Sequence, residues 1–302
     1  MSDLVFMQHA LRLAESARYR TSPNPRVGCV LVKDGVVIGE GATQAVGGDH
    51  AEVEAIKNAS ARGHATAGAT AYVTLEPCNH TGRTGPCSQA LLAAGVTRVV
   101  AAVQDPNPLT AGGGFKTLRD AGVSVTVGVD EATSQQATAL NIGFFKRHAT
   151  GLPWVRLKVA TSLDGFVALP NGQSQWLTGD AARADTHHWR ASACAVVTGI
   201  GTVLADNPQL TARRVQTDRQ PLRVVCDTRL SLPLSLKLFA RPLARGTVVA
   251  CGAPSGCTVA SVMSVPSSRM LAMSCFRSSA MTISFGGRAI EPRNAQVDLD
   301  PR

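Results

Sequence analysis

The chain has 302 residues, 44% of them hydrophobic and 17% charged. That is enough apolar material for two buried cores, at about 150 residues per domain, and it excludes a disordered chain. No apolar run approaches the ~20 residues of a bilayer span. The first ten residues also lack the basic and apolar regions of a signal peptide, so a cytoplasmic protein without a membrane partner is expected.

The net charge of +9 is uneven: residues 1–150 carry +1, residues 151–245 carry +6 and the rest +2. A basic second half suits phosphate-bearing ligands. An Arg-rich composition explains it equally well, since only six of the thirty basic residues are Lys. Aromatics make up 4% and no basic run interleaves with them, so no nucleic-acid partner is expected. The eight cysteines are scattered, which argues against a disulfide framework. Cys29, Cys194 and Cys226 lie in apolar runs and read as core residues.

In chain order, Ser2–Tyr19 has Leu4, Met7, Leu11 and Ala14 at helical spacing, and Pro23 and Pro25 end the pattern. Val27–Val32 and Val36–Glu40 flank Lys33-Asp34-Gly35, a hairpin with a turn signal. A helix over 50–62, a strand over 71–75 and a helix over 87–94 stopped by Gly95 follow. A strand over 98–103, a helix over 115–121 and a strand over 123–127 complete an α/β domain spanning residues 1–150. Gly151-Leu152-Pro153 marks a boundary. Beyond it, strands are expected over Trp154–Ala160, 195–198 and 223–227, with a helix over 180–191, giving a second α/β domain over 151–245. Adjacent His187 and His188 point about 100° apart on that helix and make a poor chelate, so they read as surface or packing residues. Residues 246–302 differ in kind. They contain no Lys, nine of the chain's Ser and four of its six Met, and no periodicity after Val248–Cys251. The abrupt change reads as an out-of-frame tail.

The sharpest constellation is His50-Ala51-Glu52 with Pro77-Cys78 and Cys87. One imidazole and two thiolates suit zinc, and three protein ligands leave a fourth position open for a water made acidic enough to attack. Glu52, at the first turn of a helix, would shuttle a proton from that water to a leaving amine. His-x-Glu with Pro-Cys-x-x-Cys is the zinc deaminase signature. Here eight residues, Asn79 to Pro86, separate the cysteines instead of two. Within them His80 is a rival ligand and reads as a substrate-loop residue.

Thr21-Ser22-Pro23-Asn24-Pro25-Arg26-Val27-Gly28, His50-Ala51-Glu52 and Thr74 through Cys87 resemble the bifunctional riboflavin biosynthesis deaminase–reductase family, in which the longer gap between cysteines is the rule. Gln104-Asp105-Pro106-Asn107-Pro108 and Leu157-Lys158-Val159-Ala160-Thr161-Ser162-Leu163-Asp164-Gly165 are similar too, so the resemblance covers residues 1 to about 245. It implies a cytidine-deaminase-like three-layer α/β/α domain followed by a dihydrofolate-reductase-like α/β domain, incomplete at its C-terminus. The first would remove an amine from 2,5-diamino-6-ribosylamino-4(3H)-pyrimidinone 5′-phosphate with Zn2+, and the second would reduce the ribosyl group to a ribityl chain with NADPH.

The resemblance places His50, Cys78 and Cys87 on the metal, Glu52 in catalysis and Asn24 against the pyrimidine. It places Ser174, Arg190, Leu210 and Arg213 on the phosphorylated substrate, and Ala160, Trp176, Thr202, Asp206 and Thr228 around the NADPH. It also implies a homo-oligomer. The family's Gly-rich phosphate turn has no counterpart, since Phe285-Gly286-Gly287-Arg288 lacks the flanking strand and helix such a turn needs. A marginally stable second domain with impaired NADPH binding is therefore expected. The alternatives are a nucleoside or nucleic-acid zinc deaminase, and a non-catalytic zinc scaffold. The near-neutral first domain disfavours the former, and the three-ligand set disfavours the latter.

Overall fold

A computed structural model describes residues 2–82, 84–252 and 261–264. The described residues form two compact units, one ending at Val197 and joined by Pro208–Arg223, the other of Thr198–Asn207 with the described residues from Val224.

The first unit opens with helix α1 (Asp3–Ser16) and the hairpin β1 (Gly28–Lys33) and β2 (Val36–Ala42). Asp34 and Gly35 both take positive φ, 52° and 75°, as a two-residue hairpin turn requires. Helix α2 (Ala51–Ala61), strand β3 (Thr70–Val73), helix α3 (Cys87–Ala93) and strand β4 (Arg98–Ala101) follow. Helix α4 (Gly113–Asp120) and strand β5 (Ser124–Val127) complete the predicted order. Two helices come after them that periodicity did not reveal, α5 (Glu131–Leu140) and α6 (Ile142–Thr150). The α5 start carries a legible signal, since Asp130 accepts the Thr133 N–H at 2.8 Å as an N-cap.

The sheet runs β2-β1-β3-β4-β5, with β1 antiparallel to β2 and β3, and β3, β4 and β5 parallel. Alternation along each strand sends side chains to opposite faces. Val30, Val32, Tyr72 and Val100 bury against Phe6, Met7, Ala10 and Leu11 of α1. Cys29, Leu31, Ala71, Val73 and Val99 bury on the other face with residues of α2, α3 and α4. The result is three layers, α/β/α, as expected. Cys29 is a core residue, fully buried.

Small residues let α2 lie close on the sheet. Ala51, Ala55 and Ala59 form its buried stripe, and a Cβ on Gly41 would fall 2.4 Å from the Ala51 carbonyl oxygen. This contact fixes where α2 begins, and with it His50 and Glu52.

The first unit also contains helix α7 (Asp180–Ser192). Two half-buried arginines satisfy carbonyls at its C-terminal end that have no partner within the helix, and one of them also reaches the end of α5. Arg26 donates to Ser192 O (2.9 Å) and Leu140 O (2.7 Å), and Arg219 to Ala191 O (2.6 Å) and Ala193 O (2.8 Å).

Residues 154–160 depart from expectation. The segment forms no ladder among the described residues and is exposed, with Val155 at 77% and Leu157 at 85%. Its alternating apolar pattern satisfies the local requirement of a strand, but a strand exists only once a neighbour takes its N–H and C=O groups. Cys194 and Cys226 are likewise exposed rather than core. Cys194 meets the Ser22 hydroxyl at 2.8 Å, and Cys226 ends its strand.

Strand β6 (Ala195–Gly199), helix α8 (Ile200–Asp206) and strands β7 (Leu222–Cys226), β8 (Thr247–Cys251) and β9 (Ser261–Ser264) follow, with a sheet order of β6-β7-β8-β9. β8 and β9 are antiparallel, with Val249 opposite Met263. The Gly-rich stretch 285–288 and the rest of the tail after 264 lie outside the described residues. Among the described residues no helix is long and apolar enough to cross a membrane.

Candidate metal centre and active site

His50 is the N-cap of α2, and Glu52 lies in that helix's first turn, 3% exposed. Cys78 sits in the loop after β3. Cys87 opens α3, directly after Pro86, whose fixed φ suits a helix start. These elements bring His50, Cys78 and Cys87 together, with one donor atom from each within 4.8 Å of the others. His50 Nδ1 stands 3.6 Å from Cys78 Sγ and 3.3 Å from Cys87 Sγ. Metal–N and metal–S bonds of about 2.0–2.3 Å in a tetrahedron put neighbouring ligands roughly 3.5 Å apart, so the N/S/S set fits zinc as it stands. His80, exposed in the same loop, is not part of the converging cluster.

The electrostatics follow from burial and contact. The Cys87 N–H donates to Cys78 Sγ at 3.4 Å, and the Cys87 thiol and His50 also bond to that sulfur. The Cys87 thiol above all, with help from His50, holds Cys78 well below the ordinary thiol range. The same contact, with burial, pushes Cys87 up. His50 is raised by its bond to Cys78. Burial, reinforced by the Cys78 charge, pushes Glu52 up to about 7.

One buried acid in the motif was not assigned a task from sequence. Glu76, 3% exposed, accepts four backbone N–H groups: Asp105 (3.2 Å) and Gly112 (3.0 Å) on Oε2, Gly114 (3.0 Å) and Phe115 (3.2 Å) on Oε1. Nothing local identifies these partners, because they lie 29 to 39 residues away.

Asn24 is half-buried, and its N–H closes a turn on Thr21 O at 2.9 Å. Arg190 and Arg213 meet at Thr211: Arg190 donates to its carbonyl (3.3 Å) and Arg213 to its hydroxyl (3.0 Å). The buried His187 accepts the Arg213 N–H at 3.1 Å, a packing role. Leu210, buried with φ +52°, lies in the same strip of chain. Ser174 and Trp176 are exposed, with the Arg183 guanidinium 4.6 Å over the Trp176 ring, and Ala160 is half-buried. In the second unit, Thr202 and Asp206 are exposed on α8, and Thr228 is exposed with its carbonyl accepting the Gly252 N–H.

The three-layer fold and the N/S/S site define a cytidine-deaminase-like domain, followed by a second α/β domain. The family model for the cytidine and deoxycytidylate deaminase zinc-binding region matches residues 1–103, and that for the RibD C-terminal domain matches residues 153–263. The chain belongs to the RibD family. It is 48% identical to the riboflavin biosynthesis protein RibD of Escherichia coli K12 over 241 residues, covering 76% of this chain and 64% of that protein. For the Haemophilus influenzae protein the values are 47% over 249 residues, 78% and 65%. The chain thus spans just under two thirds of the length of these curated relatives. Among solved structures, Acinetobacter baumannii RibD is 48% identical with a TM-score of 0.76, covering 83% of this chain and 70% of that one. The Thermotoga maritima diaminohydroxyphosphoribosylaminopyrimidine deaminase/5-amino-6-(5-phosphoribosylamino)uracil reductase is 38% identical with a TM-score of 0.76, covering 84% and 70%.

Proposed function

We propose that the chain deaminates 2,5-diamino-6-ribosylamino-4(3H)-pyrimidinone 5′-phosphate by hydrolysis, in riboflavin biosynthesis. The observation that carries this reading is the convergence of His50, Cys78 and Cys87 within 4.8 Å, next to the buried carboxyl of Glu52. These three residues would hold zinc, which would act as a Lewis acid and lower the pKa of a bound water toward neutrality. Glu52, with a pKa near neutral, takes a proton from the attacking water and gives it to the leaving nitrogen. Oxygen replaces nitrogen on the ring carbon and ammonia leaves. Asn24 orients the pyrimidine.

The second half reduces the ribosyl group to a ribityl chain with NADPH. Ser174, Arg190, Leu210 and Arg213 hold the phosphorylated substrate. The shared anchor of both arginines on Thr211 supports their acting together on one anion, which the planar guanidinium binds through paired hydrogen bonds. Ala160, Trp176, Thr202, Asp206 and Thr228 line the cofactor. On this reading the deaminase occupies 1–150, the reductase 151–245, and 246–302 is an atypical, out-of-frame tail that weakens NADPH binding. Family membership supports a cytoplasmic homo-oligomer acting on a small phosphorylated pyrimidine, with neither nucleic acid nor membrane as partner.

Mass spectrometry of products from the purified protein, given substrate, zinc and NADPH, tests both halves. Deamination and reduction give distinct masses. A deaminated, unreduced product supports the first half and an impaired second. Unchanged substrate refutes the deaminase reading.

A further inference from the structure

We propose that Glu76 is a positioning residue that sets the metal site by tying the Cys78 loop to the start of α4. This rests on the metal-binding reading above and deepens it. Glu76 immediately precedes Pro77-Cys78. Its two carboxylate oxygens each accept two N–H groups, and two of the four donors, Gly114 and Phe115, lie in the first turn of α4. The α4 N-cap, Gly112, has no side chain with which to cap, so Glu76 fills that role from another element. A buried carboxylate is costly unless its lone pairs are satisfied, and four charge-assisted bonds satisfy this one.

A second contact locks the same joint. A Cβ on Gly114 would fall 1.9 Å from the Pro77 carbonyl oxygen, so α4 abuts the backbone one residue before the ligand. On the far side of Cys78, the Ser88 hydroxyl donates to Asn79 Oδ1 at 2.7 Å, and the Ser88 N–H donates to the Cys78 carbonyl at 3.1 Å. Cys78 is thus held from α4 on one side and from α3 on the other. Its sulfur position, and so the S–N edge to His50, depends on both.

Cobalt(II) replaces zinc in such sites and reports thiolate ligation and tetrahedral geometry through its absorption. In the full chain stripped of metal, Glu76→Gln should weaken cobalt affinity by about 10- to 100-fold, the range for groups that orient a ligand. It should also diminish the tetrahedral bands. Gly114→Ala, which leaves the carboxylate intact, should do the same. Asp3→Asn, on the opposite face of the sheet, should leave cobalt affinity unchanged.

A measurement on the unaltered protein needs no variant. Because coupling is reciprocal, adding zinc should slow hydrogen exchange of the Asp105, Gly112, Gly114 and Phe115 amides by about 10-fold or more. Unaltered cobalt affinity and spectrum in folded Glu76→Gln, or exchange at these amides indifferent to zinc, would overturn the proposal. An equal loss in Asp3→Asn would overturn it too, as general instability. Wild-type protein that takes up no cobalt overturns the metal reading itself and this inference with it.

Discussion

The Cys87 backbone N–H stands 3.4 Å from the Cys78 sulfur, and the two sulfurs lie within 4.8 Å of each other. Thiols give up their protons on binding a cation, so metal uptake should release protons. Replacing either cysteine by Ser should cut zinc retained after dialysis from about one per chain to near zero, measured by elemental analysis.

Glu52→Gln keeps the shape of the site and removes the proposed proton carrier. The variant should retain zinc while its deamination rate falls by about 10²- to 10⁴-fold, the usual contribution of a positioned acid–base group. Product mass and zinc content, measured on one sample, check both halves. A structural zinc scaffold would lose nothing measurable.

Asp3 supplies a pH test away from the site. It accepts from Arg98 Nη1 (3.0 Å) and Nη2 (2.6 Å) and from the Tyr72 hydroxyl (2.7 Å), and the Arg98 contact holds its carboxyl below the usual range. A carboxylate whose folded pKa is depressed contributes stability above its unfolded pKa and loses it as pH falls through the folded value. Asp3→Asn should therefore cost about 0.5–1 kcal/mol near neutrality, modest because the pair is partly solvated. The difference from wild type should shrink as pH falls from neutrality through the folded pKa, in denaturant titrations across the acid range.

Gly41→Ala would push a Cβ against the Ala51 carbonyl oxygen, between His50 and Glu52. Overpacking of this kind costs about 1–3 kcal/mol. The denaturation midpoint should fall accordingly, and deamination should fall with it because α2 carries His50 and Glu52, the proposed ligand and acid–base group.

Arg213→Ala removes one of the two guanidinium groups anchored on Thr211. A charge-assisted hydrogen bond contributes about 1.5–3 kcal/mol, so affinity for the phosphorylated substrate should fall by about 10- to 100-fold in calorimetry. NADPH affinity, weak in wild type on the reading of the tail above, should not change further.

The sequence by itself determined the features whose information is local. Asp34-Gly35 announces its hairpin because only certain residues tolerate positive φ. The short apolar runs of β1, β3 and β4 mark strands buried on both faces, and His50-Ala51-Glu52, Cys78 and Cys87 point to their chemistry by residue type and spacing. Helix α5 was not read from sequence although Asp130 marks its start, because a helix with only Thr133 and Ala137 buried shows little apolar periodicity.

The tertiary structure alone decided what depends on partners distant in the chain. Residues 154–160 carry a strand's alternation, yet alternation cannot supply the neighbour that a ladder needs. Cys194 and Cys226 sit in apolar runs and still face outward, because hydropathy does not specify which side of a strand end is covered. Glu76 has the widest separation between sequence and structure: its four donors are 29 to 39 residues downstream, so the contacts of this acid beside Cys78 form only when the chain has brought α4 to it.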